Sequence, residues 1–299
     1  MEMNKLNLKT LSALFLMGIL LFSCSEDDSM DIMDATADKK SIEDTNFKVD
    51  RIKEIFYANP SPIEMASIIK KAGSSYNRDI LNDIRNTEKY TSSKSRAINL
   101  GIYGADLSYT SIFNQNQESI IYLSCAKRLA DDLGVTAAFN DEIMERFEAN
   151  VENRDSLMSI ISESYWVLDA YLKENNRDNI SALVIAGGWL EGLYLGTQII
   201  EQNGKSQMLV DRVVDQKYAL MDLISLLESY PADETISAIL EDLYKLEDIY
   251  SRATGAGGAS VVSEGETAVI SGGGKLSMSD ADLDMVVQSA KEIRTKYIN

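Results

Sequence analysis

Ser181-Ala182-Leu183-Val184-Ile185-Ala186-Gly187-Gly188-Trp189-Leu190-Glu191-Gly192-Leu193-Tyr194-Leu195-Gly196-Thr197-Gln198-Ile199-Ile200 is apolar on every side of a helix and long enough to cross a bilayer. A charge at its centre decides between the two environments that such a segment suits. Glu191 would cost about 2.5–3.5 kcal/mol at mid-bilayer, and the related segment 94–113 carries Asp106, so the sequence predicts a helix buried inside a helical protein. Gly188, Gly192 and Gly196 recur every four residues, as do Ala97, Gly101 and Ala105. Small residues at that spacing cut a groove along one helix face. A second helix backbone can enter it more closely than the usual separation of about 8–10 Å, or the groove can stay open to a ligand.

Working outward, the chain resembles itself at an offset of about ninety residues. Met65-Ala66-Ser67-Ile68-Ile69 falls on Leu157-Met158-Ser159-Ile160-Ile161, and Ala97, Gly101, Ile102, Tyr103 and Ala105 fall on Gly188, Gly192, Leu193, Tyr194 and Gly196. Gln115-Asn116 then meets Gln202-Asn203, and Asp141-Glu142 meets Asp233-Glu234. The expectation is an all-α array of about nine or ten helices with two quasi-repeated four-helix units, 61–152 and 153–246. Apolar spacing of three and four places helices at 47–58, 62–86 with a break near Gly73, 94–113, 116–133, 139–151, 154–175, 179–202, 206–229 and 233–252. Pro62, Asn140-Asp141-Glu142, Asp178-Asn179 and Asp233-Glu234 mark helix starts, where capping oxygens and negative charge suit the helix dipole.

The segment 254–278 differs in kind. Ala259-Ser260-Val261-Val262 and Thr267-Ala268-Val269-Ile270 flank Ser263-Glu264-Gly265-Glu266 within a Gly- and Ser-rich stretch, the pattern of a small β-hairpin or an ordered loop. A C-terminal helix over 279–298 follows, with Leu283, Val286, Val287, Ala290 and Ile293 on one face. Two motif-like runs fail on inspection. Asp280-Ala281-Asp282-Leu283-Asp284 begins like a calcium loop, but Met285 takes the glycine position and Lys291 that of the bidentate glutamate. Ser271-Gly272-Gly273-Gly274-Lys275-Leu276 ends without the hydroxyl that a phosphate loop requires.

Composition excludes whole classes of activity. Lys and Arg total 29 against 47 Asp and Glu, a net charge of −18, so the field of the protein repels nucleic acid. There is no histidine, which removes Ser/His and Cys/His catalysis, imidazole zinc sites and ordinary haem ligation; no metal or cofactor is expected. Of the two cysteines, Cys125 lies on a helical pattern with Ile121, Tyr122 and Leu129 and reads as a small buried thiol, the alternative being a reactive nucleophile.

The N-terminus carries an address. Lys5 and Lys9 precede the apolar run Leu11 to Phe22, which is too short to span a bilayer comfortably and ends at Ser23-Cys24. Leu21-Phe22-Ser23-Cys24 resembles the lipobox of bacterial lipoproteins, and Ser25-Glu26-Asp27-Asp28-Ser29 is similar to the acidic export tag of Bacteroidota surface lipoproteins. The resemblance covers these first residues alone. It implies a signal peptide over 1–23, acylation of Cys24, an export signal in Ser25, Glu26, Asp27 and Asp28, and an outward-facing anchor in the outer membrane. An uncleaved N-terminal anchor and a plain secretory signal are the competing readings. Residues 24–46, rich in Ser, Asp, Thr and Lys, read as a flexible acidic tether ahead of a single helical domain over 47–299.

Glu191 and Asp106 are the candidate catalytic acids, since each stands in an apolar, aromatic segment. Two carboxyls about 5–10 Å apart across a cleft suffice for glycoside hydrolysis without histidine. The competing role is a hydrogen bond to a tyrosine hydroxyl or a helix end inside the core. Trp189, Tyr194, Tyr103 and Tyr109, beside these acids, are the candidate binding residues. The sequence as a whole favours a membrane-tethered, non-catalytic binding or scaffold component of the cell envelope that contacts another envelope protein or an extracellular ligand. The alternative is a carboxylate-dependent hydrolase acting on glycans.

Overall fold

The computed structural model describes residues 62–255, 260–264, 267–271 and 275–299. The signal peptide, Cys24 with its tag, the tether and the helix expected over 47–58 lie outside the described residues. Nine α-helices are present among the described residues: α1 (Pro62–Lys71), α2 (Ser93–Ile112), α3 (Asn116–Asp132), α4 (Asp141–Ala149), α5 (Arg154–Glu174), α6 (Asp178–Asn203), α7 (Gln207–Glu228), α8 (Glu234–Ser251) and α9 (Asp280–Ile298). The chain is an all-α helical array. Four of the helices begin in each of the stretches 61–152 and 153–246, though α8 runs on to Ser251 and α1 has 10 residues where α5 has 21.

Helix α6 is the axis of the packing. Every residue from Ile180 to Ile200 is buried, in keeping with a helix that is apolar all round. It is the one described helix with the length and hydropathy of a membrane span, and that apolar window lies wholly inside the protein. Helix α2 is buried from Ala97 to Ile112 and shares with α6 the largest helix–helix contact. A Cβ placed on Gly101 would lie 2.0 Å from the Val184 carbonyl oxygen, and one on Gly187 would lie 1.9 Å from that of Ile98. Backbone meets backbone at these two glycines, whereas Gly196 faces the side chains of Met65 and Val213. Helices α1, α3, α5, α7 and α9 surround this pair, and α8 closes against α7 and α9.

Capping follows the sequence signals at two starts and not at Asp178-Asn179, where Arg177 precedes the helix without a side-chain cap. Asn140 Oδ1 accepts from the Ile143 N–H, Asp233 Oδ1 from Thr235 and Ile236, and Ser279 Oγ from Asp282. One helix expected from the sequence needs correction, because 62–86 is not a long helix with a break. Helix α1 stops at Lys71, and Gly73 adopts φ +81, a conformation that only glycine reaches freely. Asn77 and Asp83 then turn their side chains onto the N–H groups of Asp79 and Arg85, which diverts the backbone into two 3-10 turns, Arg78–Ile80 and Ile84–Glu88. A third 3-10 turn, Thr136–Phe139, precedes α4.

The segment between α8 and α9 contains four short strands. β1 (Thr254–Gly255) pairs antiparallel with β4 (Leu276–Ser277), and inside them β2 (Ser260–Glu264) pairs with β3 (Thr267–Ser271), with Val262 opposite Val269. The expected hairpin is therefore formed. At its base Leu276 and Ala253 pack on Val214 of α7.

Candidate functional site

Asp106 lies on α2 and Glu191 on α6, and both are 0 % exposed. Beside Glu191 stands a residue that the sequence reading did not single out, Arg294 of α9. Its Nε donates to Glu191 Oε2 and its Nη2 to Oε1, each at 2.9 Å, and Nη2 also donates to the Ile80 carbonyl at 3.3 Å. The guanidinium carbon sits 4.4 Å from the centre of the Tyr194 ring. Two parallel hydrogen bonds and a cation over an aromatic face make this a strongly oriented ion pair. It also ties α9 to α6 and to the irregular segment before α2.

The carboxyl of Asp106 has fewer partners. Oδ2 accepts from the backbone N–H of Asn82 at 3.1 Å, while Oδ1 is buried with no donor among the described residues. Burial pushes this carboxyl well above the usual range. The negative charge of Glu191 pushes the same way, outweighing Arg294 and the Asn82 N–H. Asp106 and Glu191 thus meet, but in a filled core.

Two of the aromatic candidates, Tyr103 and Tyr109, serve the backbone around them, as do Tyr122 and Tyr90. Tyr103 Oη donates to the Asp83 carbonyl at 2.8 Å, and Tyr109 Oη accepts from the Asn77 N–H at 3.1 Å. Tyr122 Oη donates to the Asn82 carbonyl at 2.9 Å, and Tyr90 Oη to the Ile298 carbonyl at 3.2 Å. A segment in 3-10 turns leaves peptide groups that no helix ladder satisfies, and buried tyrosines from α2 and α3 supply the missing partners. Trp189 is 4 % exposed, and its indole N–H has no acceptor among the described residues. None of the four aromatic candidates presents a ring to solvent: Tyr103 and Tyr109 are 0 % exposed and Tyr194 is 7 % exposed.

Cys125 is buried, and burial, with the nearby Asp106 charge, raises its thiol to about 11. It is a poor nucleophile at neutral pH. No group of three or more Cys, Asp or Glu side chains suited to a metal ion occurs among the described residues. A surface cleft of about 450 Å³ opens where α1 and α6 end, lined by Ser74, Asn203, Lys205, Ser206 and Leu209 among others; neither Asp106 nor Glu191 reaches it.

Arg294 carried a signal in the sequence. It stands four residues after Ala290 and seven after Val287, on the face of α9 that the apolar residues define. An arginine at a core position requires a buried acid. Asn82 carried no such signal, because its role depends on where the 3-10 turns place its peptide. Comparison with protein-family models, with curated proteins and with solved structures returns no match to this chain.

Proposed function

We propose that this protein is a lipid-anchored helical binding or scaffold component of the outer-membrane surface, without catalysis. The observation that carries this reading is Leu21-Phe22-Ser23-Cys24 followed at once by Ser25-Glu26-Asp27-Asp28. Acyl chains on Cys24 would contribute about 0.8 kcal/mol per buried methylene, so two or three of them hold a soluble body at the membrane without a spanning helix. The missing histidine and the use of Glu191 to bind Arg294 support a non-catalytic body. Exposed aromatic side chains such as Trp166, 58 % exposed, and Tyr218, 58 % exposed, supply the kind of surface that contacts another protein or an extracellular ligand.

Anchoring is tested by substitution. Cys24→Ala should abolish palmitate labelling and release the protein from the membrane fraction; labelling that persists ends the proposal. Replacing Glu26, Asp27 and Asp28 together by alanine should keep the lipid and lose protease accessibility on intact cells. A glycan hydrolase is the second reading, favoured by the meeting of Asp106 and Glu191. It requires that wild-type protein turn over a glycan and that Glu191→Gln, which cannot exchange the proton, abolish turnover while the protein stays folded.

A further inference from the structure

Two carboxyls that are 0 % exposed face one largely buried guanidinium, and that charge set does not balance. Glu191 takes both of the Arg294 donors that form the pair, and Asp106 keeps one backbone N–H and an orphan oxygen. The other titratable groups that face Asp106 cannot supply the missing positive charge. From α2 these are Tyr103 and Tyr109, and from α3 Tyr122 and Cys125; burial pushes each of them upward and keeps it neutral. Tyr165 of α5 and Tyr194 of α6 are raised by burial in the same way. The segment before α2 contributes the Asn82 N–H and the Ile80 carbonyl, and Tyr90 beside them is likewise raised by burial. From α9 the cluster receives Arg294.

We propose that Asp106 carries a proton directed at Glu191, and that this proton keeps the C-terminal helix α9 latched onto α6. Protonated on Oδ1, Asp106 becomes a donor to Glu191; the orphan oxygen is satisfied and the cluster falls to zero net charge. Without the proton, two negative charges share one cation away from water. Opening the α9 contact lets solvent reach both carboxyls, and that hydration offsets the lost attraction of Arg294. The direction of the pH dependence follows from Asp106, whose native value is raised by burial first and by Glu191 second. The undocked state has released this proton above about pH 4, whereas the latched state retains it. The stabilisation is therefore complete below that pH and is lost as pH rises through the raised native value.

Two measurements on the full-length chain test the latch. Infrared spectroscopy should show a protonated-carboxyl C=O band at neutral pH in the wild type, absent from Asp106→Asn. Hydrogen exchange of α9 amides, corrected for the intrinsic rate, should lose protection by about tenfold per pH unit above about pH 6 until the native value is reached, while Asp106→Asn changes by less than about twofold. The asparagine keeps the acceptor for the Asn82 N–H and presents a permanent donor to Glu191. A wild type without the band, a band that survives in the variant, or the same pH slope in both proteins overturns the proposal. If the variant does not fold, the wild type alone decides: the infrared band and α9 protection must vanish with one midpoint, and separate midpoints overturn the latch.

Discussion

At the contact between α8 and α9, Asp242 is 3 % exposed and accepts from Lys296 Nζ at 2.6 Å, Tyr297 Oη at 2.8 Å and Lys245 Nζ at 3.0 Å. At the contact between α2, α6 and α9, Asp106 is more deeply buried and has one backbone donor. Burial pushes both carboxyls upward. For Asp242 the hydrogen bonds from Lys296, Lys245 and Tyr297 outweigh it and hold the group below its usual range, whereas for Asp106 the Glu191 charge adds to it. The number of cations within reach, more than burial itself, decides which state of an interior acid is native. Because α9 meets both sites, one helix is held by two contacts that respond to pH in opposite directions.

The largest effect is expected where the interior cation is lost. Arg294→Met removes the partner of two buried carboxyls and should cost about 3–5 kcal/mol in denaturant unfolding. A loss below about 1 kcal/mol would mean that the ion pair does not hold α9. The backbone contact beneath the cluster is next. Gly187→Ala would drive a methyl group against the Ile98 carbonyl, and a destabilisation of about 1–3 kcal/mol or more is expected from the same unfolding curves. An unchanged midpoint would show that α2 and α6 can separate without loss.

Glu191→Gln should cost less than Arg294→Met, at about 1–3 kcal/mol, because the neighbouring Asp106 can ionise and take over the guanidinium. The double variant with Asp106→Asn has no acid left, so its cost should exceed the sum of the single costs. Strict additivity in that cycle would separate the two carboxyls energetically. The smallest effect belongs to the outer site. Asp242→Asn should cost about 1 kcal/mol near neutral pH, once the solvent around Lys245 and Lys296 is allowed for. Since the native value of Asp242 is lowered, its contribution is present above the ordinary aspartate range and fades as pH falls through the native value. The variant should therefore show a flatter loss of stability in acid than the wild type. An equal acid limb in thermal melts would remove Asp242 from the comparison.

Much of the architecture was legible because helices advertise themselves locally. The period of apolar residues gave α2, α3 and α5 to α9 within one or two residues, and Asn140 and Asp233 marked starts through their capping oxygens. The segment after Gly73 was misread because its residues, Ile80, Leu81 and Ile84, keep helix-like spacing. The competing hydrogen bonds of Asn77 and Asp83 win there only with tyrosine hydroxyls from distant helices to satisfy the released peptides.

By itself the sequence determined the helical class, the burial of Ser181 to Ile200, the exclusion of histidine chemistry and the two acids that deserve a role. These depend on residue type and on spacing within a few turns. Only the tertiary structure decided what those acids do. Asp106 and Glu191 belong to different helices, and their partner Arg294 lies 103 residues beyond Glu191. Whether a buried carboxyl becomes a catalytic acid, an ion pair or a proton store is set by the charges that the fold brings within a few ångströms of it. In the primary sequence those charges are too far apart to announce one another.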